Sequence, residues 1–144
     1  VFGALDVSAT GMTAQQLRMD TISENIANVN TTRGKDGKPY KRKTVLFEEK
    51  SYPSFSESLS MANRQHIGKG VKVSQIVEDD SEGNKVYDPS HPDADEDGYV
   101  TYPNVNTVTE MTNMIDATRA FEANVTVMNS TKGMALKALD IGQS

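Results

Sequence analysis

The sequence predicts an α+β fold: two long terminal helices pairing as a coiled coil, with a small β-rich middle region. Three observations predict it. Apolar residues recur at heptad spacing near both ends of the 144-residue chain, the pattern of helices that share a seam. The middle shows period-two alternation broken by Gly, Pro and Asp, the pattern of short strands joined by turns. Both helical segments are poor in charge, and small neutral polar residues surround their apolar stripes.

Residues 1–32 form the first unit, an amphipathic helix. Leu5, Met12, Met19 and Ile26 follow one another at seven-residue intervals, and Ile22 and Val29 repeat three residues behind them. Ser8 and Gln15 hold the corresponding places nearer the start, and Gly11 lowers helix propensity there. At 1.5 Å per residue the segment is about 37 Å long. Asn28, Asn30, Thr31 and Thr32 stop it.

Residues 33–104 form the β-rich region. Asp36-Gly37 is a tight-turn dipeptide, and the residues from Pro39 to Glu49 read as a strand. GVKVSQIVE (70–78), NKVYD (84–88) and GYVTY (98–102) read as three more. The Ser-rich stretch at about 51–69 has little periodicity and reads as a mobile loop.

Residues 105–144 form the third unit, a long C-terminal helix. Met111, Met114, Thr118, Phe121, Val125, Met128, Ala135 and Leu139 keep the three-four alternation, and Lys132 interrupts it. Thr107 or Thr109 is placed to cap the first turn, and Gly142 to end the helix. Its length, about 50 Å, exceeds what the core of so small a domain can cover.

Composition narrows the function. Hydrophobic residues make up 36% of the chain and mean hydropathy is −0.55, lean for a globule that must bury its own core. Part of the core is therefore expected to come from a partner. The net charge of −5 argues against general affinity for nucleic acid or anionic membrane. No run of 18 apolar residues spans a bilayer, and no basic segment leads into an apolar one as in a Sec signal peptide. The lack of cysteine excludes disulfides, zinc-thiolate sites and thiol nucleophiles.

The first helix carries only Asp6, Arg18, Asp20 and Glu24. A solvated helix usually places dense Lys and Glu opposite its apolar stripe. Small neutral residues around the circumference suit a helix packed on several sides. Such helices are marginal alone, and the sequence predicts termini that order on assembly.

Catalytic chemistry is missing. The two histidines, His66 and His91, lie in loops, near no nucleophile elbow, metal-binding helix or phosphate loop. The sequence therefore predicts no enzyme, no cofactor and no metal site. The charge blocks are more informative. Residues 33–43 hold Arg33, Lys35, Lys38, Lys41, Arg42 and Lys43 against Asp36, net +5, and residues 78–97 hold nine acids against Lys85, net −8. Either both blocks are solvated loops, or the basic one meets the acidic one of a neighbour or of its own chain. Lys41, Arg42, Lys43, Asp93, Asp95 and Asp97 are the candidate electrostatic contacts.

Asp93, Asp95, Asp97 and Gly98 also copy the opening of a calcium loop, which makes a calcium-responsive binding module of residues 93–104 the second reading. Its twelfth position, where a bidentate Glu completes the sphere, falls on Asn104. Pro89 and Pro92 forbid the entering helix, so a polar acidic turn is the better explanation.

SENIANVNTT (23–32) resembles the N-terminal signature of the bacterial flagellar rod and hook axial proteins, through Asn25, Ile26, Ala27, Asn28, Asn30 and Thr31. Residues 98–142, with DPSHPDADEDGYV before them, are similar to the proximal rod members of that family. The resemblance spans nearly the whole chain, the stretch 51–69 excepted. It implies a non-enzymatic building block of the basal-body rod, the axial drive shaft between motor and hook. Such a subunit is exported without a Sec signal peptide through the flagellar type III export apparatus. It polymerises with other rod proteins and copies of itself, its terminal helices forming the inner coiled-coil layer. The expected seam sets Leu5, Met12, Met19, Ile22 and Ile26 against Met111, Met114, Phe121, Val125, Met128 and Leu139.

Overall fold

The computed structural model describes residues 2–50 and 69–143; the loop expected at 51–69 lies, Lys69 apart, outside them. The elements run α1 (Phe2–Ala27), β1 (Lys43–Glu49), β2 (Val71–Glu78), β3 (Lys85–Tyr87), β4 (Tyr99–Thr101) and α2 (Thr107–Gly142). Two long helices thus bracket a small β region, the α+β architecture the periodicities predict.

Helix boundaries follow from local hydrogen bonding. The Asn28 side-chain amide donates to Glu24 O at 2.8 Å, the carbonyl that also accepts Asn28 N–H at 3.1 Å, and so closes the last turn of α1. At the start of α2 the cap is Asn106, whose side chain accepts from Thr109 N–H at 3.1 Å. Thr107 and Thr109, the expected caps, lie one and three residues inside the helix. Asn106 has the extended backbone that capping requires, and Asn is at least as good an acceptor there.

The strands form two separate antiparallel ribbons. β1 pairs with β2, Lys43 opposite Glu78, with a register irregularity between Leu46 and Phe47. β3 pairs with β4, Val86 opposite Val100. Residues 39–42, predicted as the start of the first strand, serve instead as a connector, with Tyr40 N–H bonded to Thr31 O. Isolated two-stranded ribbons are marginal in water, so both depend on what they dock against. The β1–β2 ribbon hangs on α1: Val71 N–H donates to Thr10 Oγ1 at 3.2 Å. Gly70 makes that approach feasible, because its φ is +86° and a Cβ there would lie 2.3 Å from Thr10 Oγ1. In the second ribbon Val100 is completely buried, and Tyr87 and Tyr99 meet edge to face at 5.3 Å.

The helices run antiparallel, with Asn25 against Glu110 at one end and Gly11 facing Asn124 further along. Their contact line is displaced from the apolar line of the sequence. On α2 it runs through Glu110, Ala117, Asn124 and Thr131, flanked by half-buried Met114, Phe121, Met128 and Ala135. On α1, Gly11, Met19 and Asn25 meet Asn124, Thr118 and Glu110, with Ser8, Ala14, Thr21 and Ile22 buried around them. Small residues let the backbones approach closely. Thr21 and Thr131 return their hydroxyls to Leu17 O and Val127 O of their own helices, leaving methyl groups for packing.

The resulting core is very small. Among the described residues Ala14, Ile22, Val100, Val105 and Ala117 are buried apolar residues, with Pro103 beside them. Thr10, Asn25 and Glu110 are among the polar groups that share the interior, and no buried side-chain N or O among the described residues lacks a partner.

Candidate assembly surface

Asn25 occupies the crossing of α1, β1 and α2 and is fully buried. Its Nδ2 donates to Lys43 O at 2.8 Å and to Glu110 Oε2 at 3.1 Å. Its Oδ1 accepts from Lys43 N–H at 2.9 Å and from Tyr40 Oη at 2.8 Å. Both donors and both lone pairs are therefore used. The side-chain amide pairs with Lys43 in both directions, much as a neighbouring strand would. Glu110, also fully buried, is closed from its other side by Arg42 Nε. Arg42 in turn donates through Nη1 to Thr44 Oγ1 at 3.0 Å.

Of the motif residues, Asn25 is thus the interior anchor and Asn28 the helix stop. Thr31 Oγ1 donates to Asn28 Oδ1 at 3.1 Å and continues the same turn. Ile26 is half-buried, and Ala27 and Asn30 are exposed. Glu110 was not legible as a site residue. Met111 beside it has the stronger apolar signal, and nothing local in the sequence points from Glu110 to Arg42, 68 residues away.

Burial in and around this cluster pushes the Tyr40 phenol up to about 12, with the nearby carboxylates of Glu24, Glu110 and Glu78 adding to the effect. A phenol whose folded pKa is raised contributes stability that is present below its ordinary value near 10 and is lost as pH rises through the folded value. Alkaline titration followed by tyrosinate absorbance should therefore show a component beyond the ordinary phenol range. Tyr40→Phe should remove it, and its persistence in that variant would contradict the assignment.

Four of the six cations of the basic block pair inside the chain. Arg33 pairs with Asp93 at 2.7 Å and Lys41 with Asp80, both pairs with well-exposed members. Lys43 pairs with Glu24 at 2.7 Å, and Arg42 with Glu110. The acidic block thus meets the basic one through Asp93 and Asp80, while Arg42 and Lys43 take carboxylates from the helices. Exposed pairs of this kind contribute little to stability and chiefly orient the connecting loops.

The aspartate loop is a turn. Asp93 also accepts from Thr32 Oγ1 at 2.7 Å. Asp95 Oδ1 accepts from Asp97 N–H at 3.1 Å and Tyr99 N–H at 2.8 Å, and Gly98 supplies the positive φ of 83°. Asp97 is exposed. Asn104, the would-be twelfth ligand, accepts from Arg42 N–H at 2.8 Å and donates to Asp79 O and Ser81 O. It ties the loop before α2 to the loops around it. Among the described residues no group of three or more His, Asp or Glu is placed to hold a metal ion. The calcium reading thus gains no support.

What the small core leaves outside is large. Val108, Ile115, Val127, Met134, Leu136 and Ile141 on α2 are each about half exposed or more. Leu46, Phe47, Ile76 and Val77 project from the β1–β2 ribbon. Of the expected seam residues, Ile22 is buried, and Leu5, Met12, Met19, Ile26, Met114, Phe121, Val125 and Met128 are half-buried. Met111 and Leu139 are 53% and 63% exposed, away from the intrachain contact. Such an extent of exposed apolar surface marks an interaction face. No helix among the described residues is long and apolar enough to cross a membrane.

Comparison with known proteins places this architecture. Residues 5–35 match the family described as flagella basal body rod protein. Residues 96–141 match the one described as flagellar basal body rod FlgEFG protein C-terminal. The chain is 51% identical to the flagellar basal-body rod protein FlgC of Bacillus subtilis over 148 residues, covering 99% of this chain and 98% of that protein. It is 46% identical to FlgC of Borreliella burgdorferi over 149 residues, 99% and 98% of the two chains. Identity to FlgC of Salmonella typhimurium is 38% over 138 residues, 96% and 95%. The two matched segments hold the two helices, the second with β4 before it, and the relatives are similar from end to end: the chain belongs to the FlgC family of flagellar basal-body rod proteins.

Proposed function

We propose that this chain is a non-enzymatic structural subunit of the proximal rod, polymerising through its terminal helices into the axial drive shaft between motor and hook. The observation that carries the reading is the mismatch between the small apolar core of the described residues and an α2 with large apolar residues exposed along its length. A helix with this surface is stable when neighbouring helices cover it. Copies of this chain and other rod proteins supply those neighbours, through heterologous contacts that do not close into a ring. Delivery by the flagellar type III export apparatus, without a Sec signal peptide, and a place in the periplasm-crossing rod belong to the same proposal and rest on family membership.

Half-buried Ile26 and Phe121 test it. Each is expected to face a neighbouring subunit with the part of its side chain that the monomer leaves uncovered. Ile26→Asp or Phe121→Asp should abolish rod assembly and motility while the β ribbons stay folded. Motile cells carrying either variant at normal protein levels would remove these residues from the interface.

A further inference from the structure

The polar cluster at the helix crossing does something that the rest of the helix contact does not. We propose that Asn25, Arg42 and Glu110 form a register lock, selecting one antiparallel alignment of α1 and α2 from several that packing alone would accept.

The contact line of α2 repeats every seven residues, through Glu110, Ala117, Asn124 and Thr131, and the last three are small or short. Gly11 faces Asn124 from α1, with room for little else: a Cβ at Gly11 would lie 2.9 Å from the Asn124 amide. Sliding α2 by one heptad would set Ala117 or Thr131 against Gly11, and both fit where Asn124 fits. The flanking line offers Met114, Phe121 and Met128, two of them flexible thioethers that adapt to new neighbours. Packing therefore discriminates weakly between alignments one heptad apart.

Glu110 breaks that degeneracy. The pairs Asn25–Glu110 and Gly11–Asn124 belong to one alignment, since 14 residues back along α1 correspond to 14 forward along α2. A slide by one heptad takes Glu110 from both Asn25 and Arg42. The side chain arriving at Asn25 in its place is Ala117, or a residue preceding the helix. An unpaired buried carboxylate and one unmet N–H of the Asn25 amide are then left behind, each unfavourable. A single polar position in an otherwise permissive helix seam is the best-attested way to fix register. Here the same cluster also carries the β1–β2 ribbon. The Asn25 amide holds Lys43 at the first residue of β1, and Arg42 precedes it. Alignment of the helices is thereby coupled to placement of the β region, which Thr10 and Asn104 also hold.

The chain has no cysteine, so introduced pairs report alignment directly. Gly11→Cys with Asn124→Cys reads the native register; Gly11→Cys with Ala117→Cys, or with Thr131→Cys, reads the two slipped ones. Under mild oxidation of dilute full-length protein, the native pair should cross-link at least about tenfold more than either slipped pair, the ratio one unpaired buried group enforces. Combining Asn25→Leu, Arg42→Met and Glu110→Leu replaces the cluster with apolar side chains. The slipped pairs should then rise to within about threefold of the native one while far-UV circular dichroism keeps its helical signal. Native-pair selectivity that survives the triple replacement overturns the proposal. So does loss of the helical signal in that variant, which would make the cluster a source of stability rather than of alignment.

Discussion

Arg42→Ala should lower the free energy of unfolding by about 3 kcal/mol, the scale of stripping one partner from a buried ion pair. Glu110 has no exposed surface, whereas the Arg42 side chain is 25% exposed. The truncation therefore leaves a carboxylate inside with only the Asn25 amide to meet it, and solvent reaches it through the gap Arg42 vacates. That access holds the loss near the lower end of the range for buried pairs. The Thr44 hydroxyl and the start of β1 lose a tether as well. Arg42→Lys should fall between wild type and Ala, because an ammonium restores the charge without the planar donor geometry of Nε. Urea unfolding followed by far-UV circular dichroism measures both variants. A shift for Arg42→Ala below about 0.5 kcal/mol, the usual scale of surface substitutions, would show the pair to be energetically idle.

Gly83→Ala is expected to cost about as much, roughly 3 kcal/mol, at the upper end for overpacking a site that cannot move freely. A Cβ at Gly83 would sit 1.8 Å from Tyr102 O, with Tyr102 C at 3.0 Å. The obstacle is backbone, so no rotamer change relieves it. Tyr102 N–H is bonded to Asn84 O at 2.8 Å, which pins the two chains together just where the new methyl would part them. The β3–β4 ribbon should loosen first, read as loss of amide protection at Tyr102 and along β4, with α1 less affected. Unchanged protection at Tyr102 in a variant of wild-type stability would refute the close approach.

Much of this molecule is legible in the sequence, and the exceptions share a cause. Heptad spacing places both helices to within a few residues, because a 3.6-residue period leaves its mark wherever one face is covered. Alternation and turn residues locate the strands in the same way. The helix contact is another matter. Apolar strength favours Met111 and Val125, yet the chain packs on Glu110 and Asn124, one residue earlier, and leaves Met111 and Leu139 outside. Hydrophobicity ranks residues by what water rejects, and close packing of two helices selects instead for small size at the crossing. The charge blocks are similar: their complementarity is visible in the sequence, but the partners of Arg42 and Lys43 lie on helices remote from the acidic block.

The sequence by itself determined the order and kind of the elements, the poverty of the core, and the identity of the aspartate loop as a turn around Gly98. Each depends on short-range periodicity, composition or turn chemistry, which one stretch of chain carries alone. Only the tertiary structure decided that Asn25 is an interior anchor, and that Glu110 is buried at all. A fully buried carboxylate is tolerable only where its partners converge, and here they arrive from residues 85 and 68 positions away, a meeting that no local pattern encodes.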